Sequence, residues 1–183
     1  MKIIPTSIPE VLIIEPKVFT DERGKFMETY HQSRYVENKI NVTFVQDNLS
    51  YSKKHTLRGL HYQYPNAQAK LVQVLKGEVF DVAVDIRFGS PTFGKWVGEI
   101  LSDQNCRQLY IPKGFAHGFC VLSEEAIFSY KCSDFFTPEN ESGVIWNDPD
   151  ICIEWPLKNP ILSDKDQNFS RLKDSILISI RKK

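Results

Sequence analysis

The chain has 183 residues, is 42% hydrophobic and 25% charged, and sets 23 Lys and Arg against 23 Asp and Glu. That length holds about one domain with a sizeable core. The composition excludes wholesale disorder, and the zero net charge excludes a whole-surface basic field for coating nucleic acid. No apolar run reaches the roughly eighteen residues of a membrane helix. Over residues 1–15 the apolar stretches are interrupted by Pro5, Pro9 and Glu10. Neither a signal peptide nor a membrane partner is therefore expected, and the expected location is cytoplasmic. Cys106, Cys120, Cys132 and Cys152 stand far apart with no CxxC pair. That spacing points to reduced thiols in packed positions rather than to disulfides or zinc.

In chain order, the first expected element is a helix over 32–39. Strands are then expected over 71–75, 78–87, 96–101, 107–111, 118–122 and 126–131, and a short helical piece after Ser163. The clearest strand is 78–87, where Phe80, Val82, Val84 and Ile86 share one face and Val79, Asp81, Ala83 and Asp85 the other. Turns are expected at Pro112-Lys113-Gly114, Ser123-Glu124-Glu125 and Thr137-Pro138-Glu139-Asn140. Short strands at a spacing of about ten residues suggest a sandwich or barrel rather than alternating strand and helix. The reading is a mainly β chain, a single jelly-roll β-barrel domain over 1–183 with a few short helices. Such a barrel holds one small ligand in its mouth.

Two segments concentrate titratable groups inside strand-like sequence. One runs from Gln46-Asp47-Asn48 through Leu57-Arg58-Gly59-Leu60-His61-Tyr62-Gln63 to Lys70, and the other is Ile111-Pro112-Lys113-Gly114-Phe115-Ala116-His117-Gly118-Phe119. On a strand His61 and Gln63 share a face, as do Phe128 and Tyr130. An imidazole can take a proton near neutral pH. An ammonium beside it can hold the oxyanion formed when a carbon next to a ketone loses its proton, and a phenol opposite can return a proton to the other side. Each residue alone is more often structural, and it is the constellation that points to chemistry. His31 and His55 have no such support and read as surface residues. Trp96, Trp146 and Trp155 read as packing.

The Pro112-x-Gly114-x-x-His117 pattern resembles the second metal motif of cupins, which are jelly-roll barrels. The first cupin motif corresponds to His61-x-Gln63, then Lys70, then Gly77. Gln replaces the second His and Lys replaces the acid, so the resemblance carries the barrel but no metal site.

A more specific resemblance covers nearly the whole chain. It runs through Val18-Phe19-Thr20-Asp21-Glu22-Arg23-Gly24-Lys25-Phe26-Met27-Glu28, Gln46-Asp47-Asn48-Leu49-Ser50, the segments around His61 and His117, Lys70-Leu71-Val72, the 77–87 strand, Trp146-Asn147-Asp148-Pro149 and Leu162-Ser163-Asp164-Lys165-Asp166. In these the chain resembles the dTDP-4-dehydrorhamnose 3,5-epimerase family, whose fold is a cupin-like jelly roll. The resemblance implies a cofactor-free isomerase acting on a nucleotide sugar. It implies His61 as base, oriented by a carboxylate placed at Asp166, with Lys70 stabilising the enolate and Tyr130 as the acid on the far side of the sugar. Asp81 and Asp85 are the other carboxylates available to His61. Arg23, Glu28, Gln46, Asn48, Arg58, His117, Glu141 and Lys165 are implied as substrate contacts. A homodimer is implied too, with the 23–28 segment the strongest candidate for lending between chains. The alternatives are a single-centre epimerase, a metal-binding cupin dioxygenase and a non-catalytic sugar-nucleotide-binding barrel.

Overall fold

The structure is a computed structural model that describes residues 1–175. Its strands are β1 (Lys2–Pro5), β2 (Leu12–Glu15), β3 (Val18–Asp21), β4 (Gly24–Met27), β5 (Gln46–Lys53), β6 (Leu57–Gln63), β7 (Lys70–Lys76), β8 (Glu78–Asp85), β9 (Trp96–Ser102), β10 (Gln108–Ile111), β11 (Phe115–Val121), β12 (Glu125–Cys132) and β13 (Glu141–Gly143). Two short helices are α1 (Gln32–Glu37) and α2 (Asp164–Gln167). The strands form a six-stranded sheet in the order β1-β2-β10-β7-β12-β5 and a five-stranded sheet in the order β13-β6-β11-β8-β9. The β3–β4 hairpin stands apart as its own two-stranded sheet.

The two large sheets face each other as a jelly-roll barrel. Their inner faces supply one core: Val72 and Val74 of β7, Leu109 of β10 and Phe128 of β12 from the first, Val79 and Ala83 of β8, Val97 of β9 and Phe119 of β11 from the second. Phe128 is fully buried and stacks on Phe119 with ring centroids 4.1 Å apart. Truncating such a ring costs about 3–5 kcal/mol.

The outer face of the five-stranded sheet is buried as well. Val82, Val84 and Ile86 pack there with Leu60, Tyr62 and the C-terminal Ile151 and Leu172. On the outer face of the six-stranded sheet, Tyr35 of α1 and Ile40 pack on Ile14, Leu71 and Tyr110.

The expected strands all exist, with shifted ends. The 78–87 strand stops at Asp85, where the carboxylate turns back to accept from the Arg87 backbone and guanidinium and from Ser90 and Thr92. The 118–122 strand begins earlier, at Phe115. The 32–39 helix is shorter, ending at Glu37. The alternation over 78–87 suggests one apolar face, but β8 is central and both faces are covered, so Asp81 and Asp85 are both fully buried rather than solvated.

Candidate active site

The barrel interior opens into a cavity of about 370 Å³. Strand register explains what lines it. On the six-stranded sheet, Lys70 of β7 lies opposite Cys132 of β12, which lies opposite Gln46 of β5. The next inward row is Val72, Tyr130 and Asn48, and the one after it Val74, Phe128 and Ser50. Side chains two apart on a strand face the same way, so one face of this sheet presents an ammonium, a phenol, a thiol and two amides to the cavity. Burial along β5 alternates to match. Gln46, Asn48 and Ser50 turn inward, while Asp47, Leu49 and Tyr51 are exposed.

The five-stranded sheet supplies the imidazoles. His61 of β6 pairs with His117 of β11, and the register slips between His117 and Phe119. The slip sits where Gly59 and Gly118 meet. A Cβ on Gly59 would lie 2.5 Å from Gly118 Cα and 2.9 Å from the His117 carbonyl oxygen, and Gly59 has φ of +132°. Only glycine fits there, and the irregular register aims side chains that a regular ladder would direct elsewhere.

His61 Nε2 lies 2.6 Å from Asp166 Oδ1. Asp166 comes from α2, which the sequence Ser163-Asp164-Lys165-Asp166 starts well. The Ser163 hydroxyl caps it by accepting from the Asp166 N–H at 3.2 Å, and acidic residues occupy its first turn. Burial alone would raise the Asp166 carboxyl. The hydrogen bond and charge of His61, with help from Ser163 and the Gly59 backbone, outweigh it and hold the group below the usual range. Such a partner fixes the tautomer and leaves the other ring nitrogen as proton acceptor. Phe169 meets the His61 ring edge to face at 5.7 Å.

His117 forms a second, deeper dyad. Its Nε2 lies 2.9 Å from Asp81 Oδ2, both groups are buried, and the ring stacks over Phe128 at 6.1 Å. Burial holds the imidazole below its ordinary value against the pull of Asp81, with Lys70 and His61 adding in the same direction as burial. Burial also pushes Lys70 down, partly offset by Cys132, Asp81 and Glu141, and pushes Tyr130 up. The Lys70 ammonium sits 5.9 Å from the centroid of the Tyr130 ring. Asp85, by contrast, is taken by Arg87, and Asp81 by His117, so of the carboxylates weighed from sequence it is Asp166 that lies against His61.

At the mouth, Lys165 and Glu141 pair at 2.6 Å. Arg58 donates through Nε to Ser52 Oγ at 3.1 Å and, among the described residues, has no carboxylate partner. Gln46 bonds Asn48 through its amide and accepts from the Phe136 N–H, which brings the exposed Phe136 ring to the rim. Thus ten of the twelve residues singled out from sequence are gathered at this cavity or on the carboxylate behind it. Arg23 and Glu28 are not. Arg23 pairs with Asp21 at the exposed tip of the β3–β4 hairpin, and Glu28 with Arg34.

Sequence reading missed Ser50, Gln63, Gln68, Phe119, Cys132 and Phe136 as cavity residues. Two carried a signal, since Cys132 stands two beyond Tyr130 and Ser50 two beyond Asn48 on the same faces. Gln63, where a cupin would hold metal, is committed instead to loops. It donates to the carbonyls of Asn66 and Phe135 and accepts from Thr137 N–H at 2.7 Å.

The family model described as dTDP-4-dehydrorhamnose 3,5-epimerase matches residues 5–174. The chain is 60% identical over 177 residues to the dTDP-4-dehydrorhamnose 3,5-epimerase of Shigella flexneri, covering 96% of this chain and 98% of that protein. It is 41% identical over 170 residues to a dTDP-4-dehydrorhamnose 3-epimerase of Streptomyces niveus, covering 92% of this chain and 82% of that one. The crystal structure of the 3,5-epimerase of Legionella pneumophila in complex with dTDP-4-keto-L-rhamnose superposes with a TM-score of 0.93 at 56% identity, covering 94% of this chain and 93% of that one. A cavity built on paired imidazole–carboxylate groups and matches of this extent lead to one conclusion: the chain belongs to the dTDP-4-dehydrorhamnose 3,5-epimerase family.

Proposed function

We propose that the protein inverts carbons 3 and 5 of dTDP-4-dehydro-6-deoxy-D-glucose to give dTDP-4-dehydro-L-rhamnose. The ketone at carbon 4 acidifies the hydrogens on both neighbours. His61, held by Asp166, takes one as a proton. Lys70 meets the charge that grows on the ketone oxygen, and Tyr130 delivers a proton to the opposite side of the ring. The sequence then repeats at the second carbon, and no cofactor or metal is needed. The carrying observation is the contact of 2.6 Å between His61 and Asp166 in a cavity that also holds Lys70 and Tyr130. Arg58 and Lys165 suit the pyrophosphate, which an arginine binds through paired donors. Gln46, Asn48, His117 and Glu141 are assigned to the remaining polar groups of the substrate.

Arg23 and Glu28 reach such a site from a second copy of the chain. A homodimer is supported by the exposed apolar residues on β5 and the hairpin: Leu49, Tyr51, Phe19 and Phe26, with Tyr51 and Phe26 each 72% exposed. A cytoplasmic location is supported by free cysteines at all four positions and by the nucleotide-sugar substrate. No helix among the described residues is long and apolar enough to cross a membrane.

The test is incubation of the purified chain with the 4-keto nucleotide sugar in D₂O and assignment of the product by NMR. Inversion and deuterium at both carbons is the expected result. Inversion at carbon 3 alone gives the second reading, which the 41% identity to a 3-epimerase supports. Unchanged sugar overturns both.

A further inference from the structure

A second cavity, of about 240 Å³, meets the first at the base. The two share His61, Tyr62, Gln63, Gln68 and Lys70 as lining residues. Beyond these the second is lined by Ala67, Ile86 and Phe115 and not by Tyr130, and its lining includes the exposed Tyr64 and Phe88. The first has its own mouth, at Arg58, Phe136 and Lys165.

The partition between them is held rigidly. Gln63 makes its three backbone contacts to Asn66, Phe135 and Thr137, and Gln68 donates to the Asp134 carbonyl at 2.8 Å. The outer wall is fixed too. The Arg87 guanidinium lies 4.7 Å from the Phe115 ring centroid and is already engaged by Asp85 and Glu10, so it is no free anion site.

The proposed reaction leaves a proton on His61 after each inversion, and this cavity offers that proton a route out. In each inversion a carbon-bound hydrogen moves as a proton to His61, and Tyr130 gives up its own. Before the second inversion His61 must lose that proton and Tyr130 must regain one, while the nucleotide sugar fills the larger cavity. We infer that the smaller cavity is a water-filled proton exit that resets His61 with substrate bound, and so decides how many carbons are inverted in one residence. This rests on the reading given under Proposed function. The His61 N–H bond breaks and its proton passes to a water in the side cavity. Tyr130 phenolate takes a proton from solvent by way of the larger cavity's own mouth, and the cycle closes with none gained or lost. A water of this kind needs two to four polar partners. His61, Lys70, Gln68 and Tyr64, which carry such polar groups, are among the residues that line the space.

The test fills the side cavity and leaves the larger one alone. Ala67→Leu puts apolar bulk inside it, Phe88→Trp narrows its exposed rim, and Ala67→Ser keeps it wet. Single-turnover runs in D₂O, quenched and read by NMR, give the first and second inversions separately, and titration with dTDP reads binding. In the two blocking variants the second inversion should slow at least about tenfold relative to the first, a fraction of what loss of acid–base catalysis costs. Singly inverted sugar should accumulate, dTDP affinity should be unchanged, and Ala67→Ser should match the parent. If Ala67→Leu fails to fold, Phe88→Trp at its exposed position carries the test. An unchanged ratio of second to first inversion in a folded blocking variant, or an equal slowing of both, overturns the exit. A parent chain that leaves the sugar unaltered instead overturns the reaction itself, so the two failures are distinct.

Discussion

At the scale of single residues, one solvent-poor cavity pushes neighbouring groups in opposite directions. Desolvation disfavours charge, so Lys70 is drawn below the usual lysine range while Tyr130 is pushed above the usual tyrosine range. In the proposed reaction the ammonium is the acting form of one and the neutral phenol the acting form of the other. As pH rises, burial therefore brings the loss of the Lys70 proton earlier and holds off the loss of the Tyr130 proton. The alkaline fall in kcat/KM should begin below the ordinary lysine value, survive in Tyr130→Phe on whatever rate remains, and disappear in Lys70→Arg, which keeps its proton. A limb that persists unchanged in Lys70→Arg would assign it to another group. His61→Ala should lower turnover by about a hundred- to ten-thousandfold and abolish solvent exchange at both ring carbons. Tyr130→Phe should slow turnover yet leave some exchange, because abstraction still occurs. Normal turnover in His61→Ala removes the imidazole from the mechanism. His61 and Lys70 were legible in the motif segments, and Tyr130 through the family resemblance. Their chemistry was not, because it depends on how far each is stripped of water.

At the scale of elements, the site rests on a close approach of two strands. Gly59 on β6 and Gly118 on β11 touch backbone to backbone, and the register slip beside them orients the imidazole row. Gly59→Ala adds a methyl with no room and a side chain at a positive φ. It should cost about 2–4 kcal/mol of stability, read by urea unfolding, and should lower activity more than dTDP affinity, because it displaces His61 before the mouth. An unfolding midpoint equal to the parent's would show that the strands are not in contact. The strand β5 illustrates the limits of periodicity. Its alternation is clear, but polar Gln46, Asn48 and Ser50 face the interior and Leu49 and Tyr51 face out. A rule that sends apolar residues inward reads such a strand backwards, because this interior is a polar ligand cavity at that end. The central strand β8 fails the same rule in another way, since both of its faces are covered.

At the scale of the whole molecule, the question is whether one chain makes one complete site. Arg23 and Glu28 lie on and beside a hairpin whose strands are almost wholly exposed, and neither lines the cavity their family resemblance assigns them to. If a second copy lends them, Arg23→Ala and His61→Ala, each nearly inactive alone, should complement when unfolded and refolded together. A random mixture makes half heterodimers, each with one intact site and one doubly defective site, so about a quarter of parental activity should return. No recovery would place Arg23 and His61 in the same chain's site, or Arg23 outside the site altogether.

The sequence by itself determined the class of fold, the absence of a whole-surface basic field and the motif segments, because alternation, turn chemistry and residue type are local properties of the chain; the acid, base and cation candidates came from the family resemblance that those segments carry. The tertiary structure decided which carboxylate lies against His61, that Asp81 is spent on His117, that Gln63 props up loops, and that a second cavity reaches His61. These depend on contacts between residues as much as 105 positions apart, and the alternation of side chains along a strand fixes which way each one points without fixing what comes to meet it.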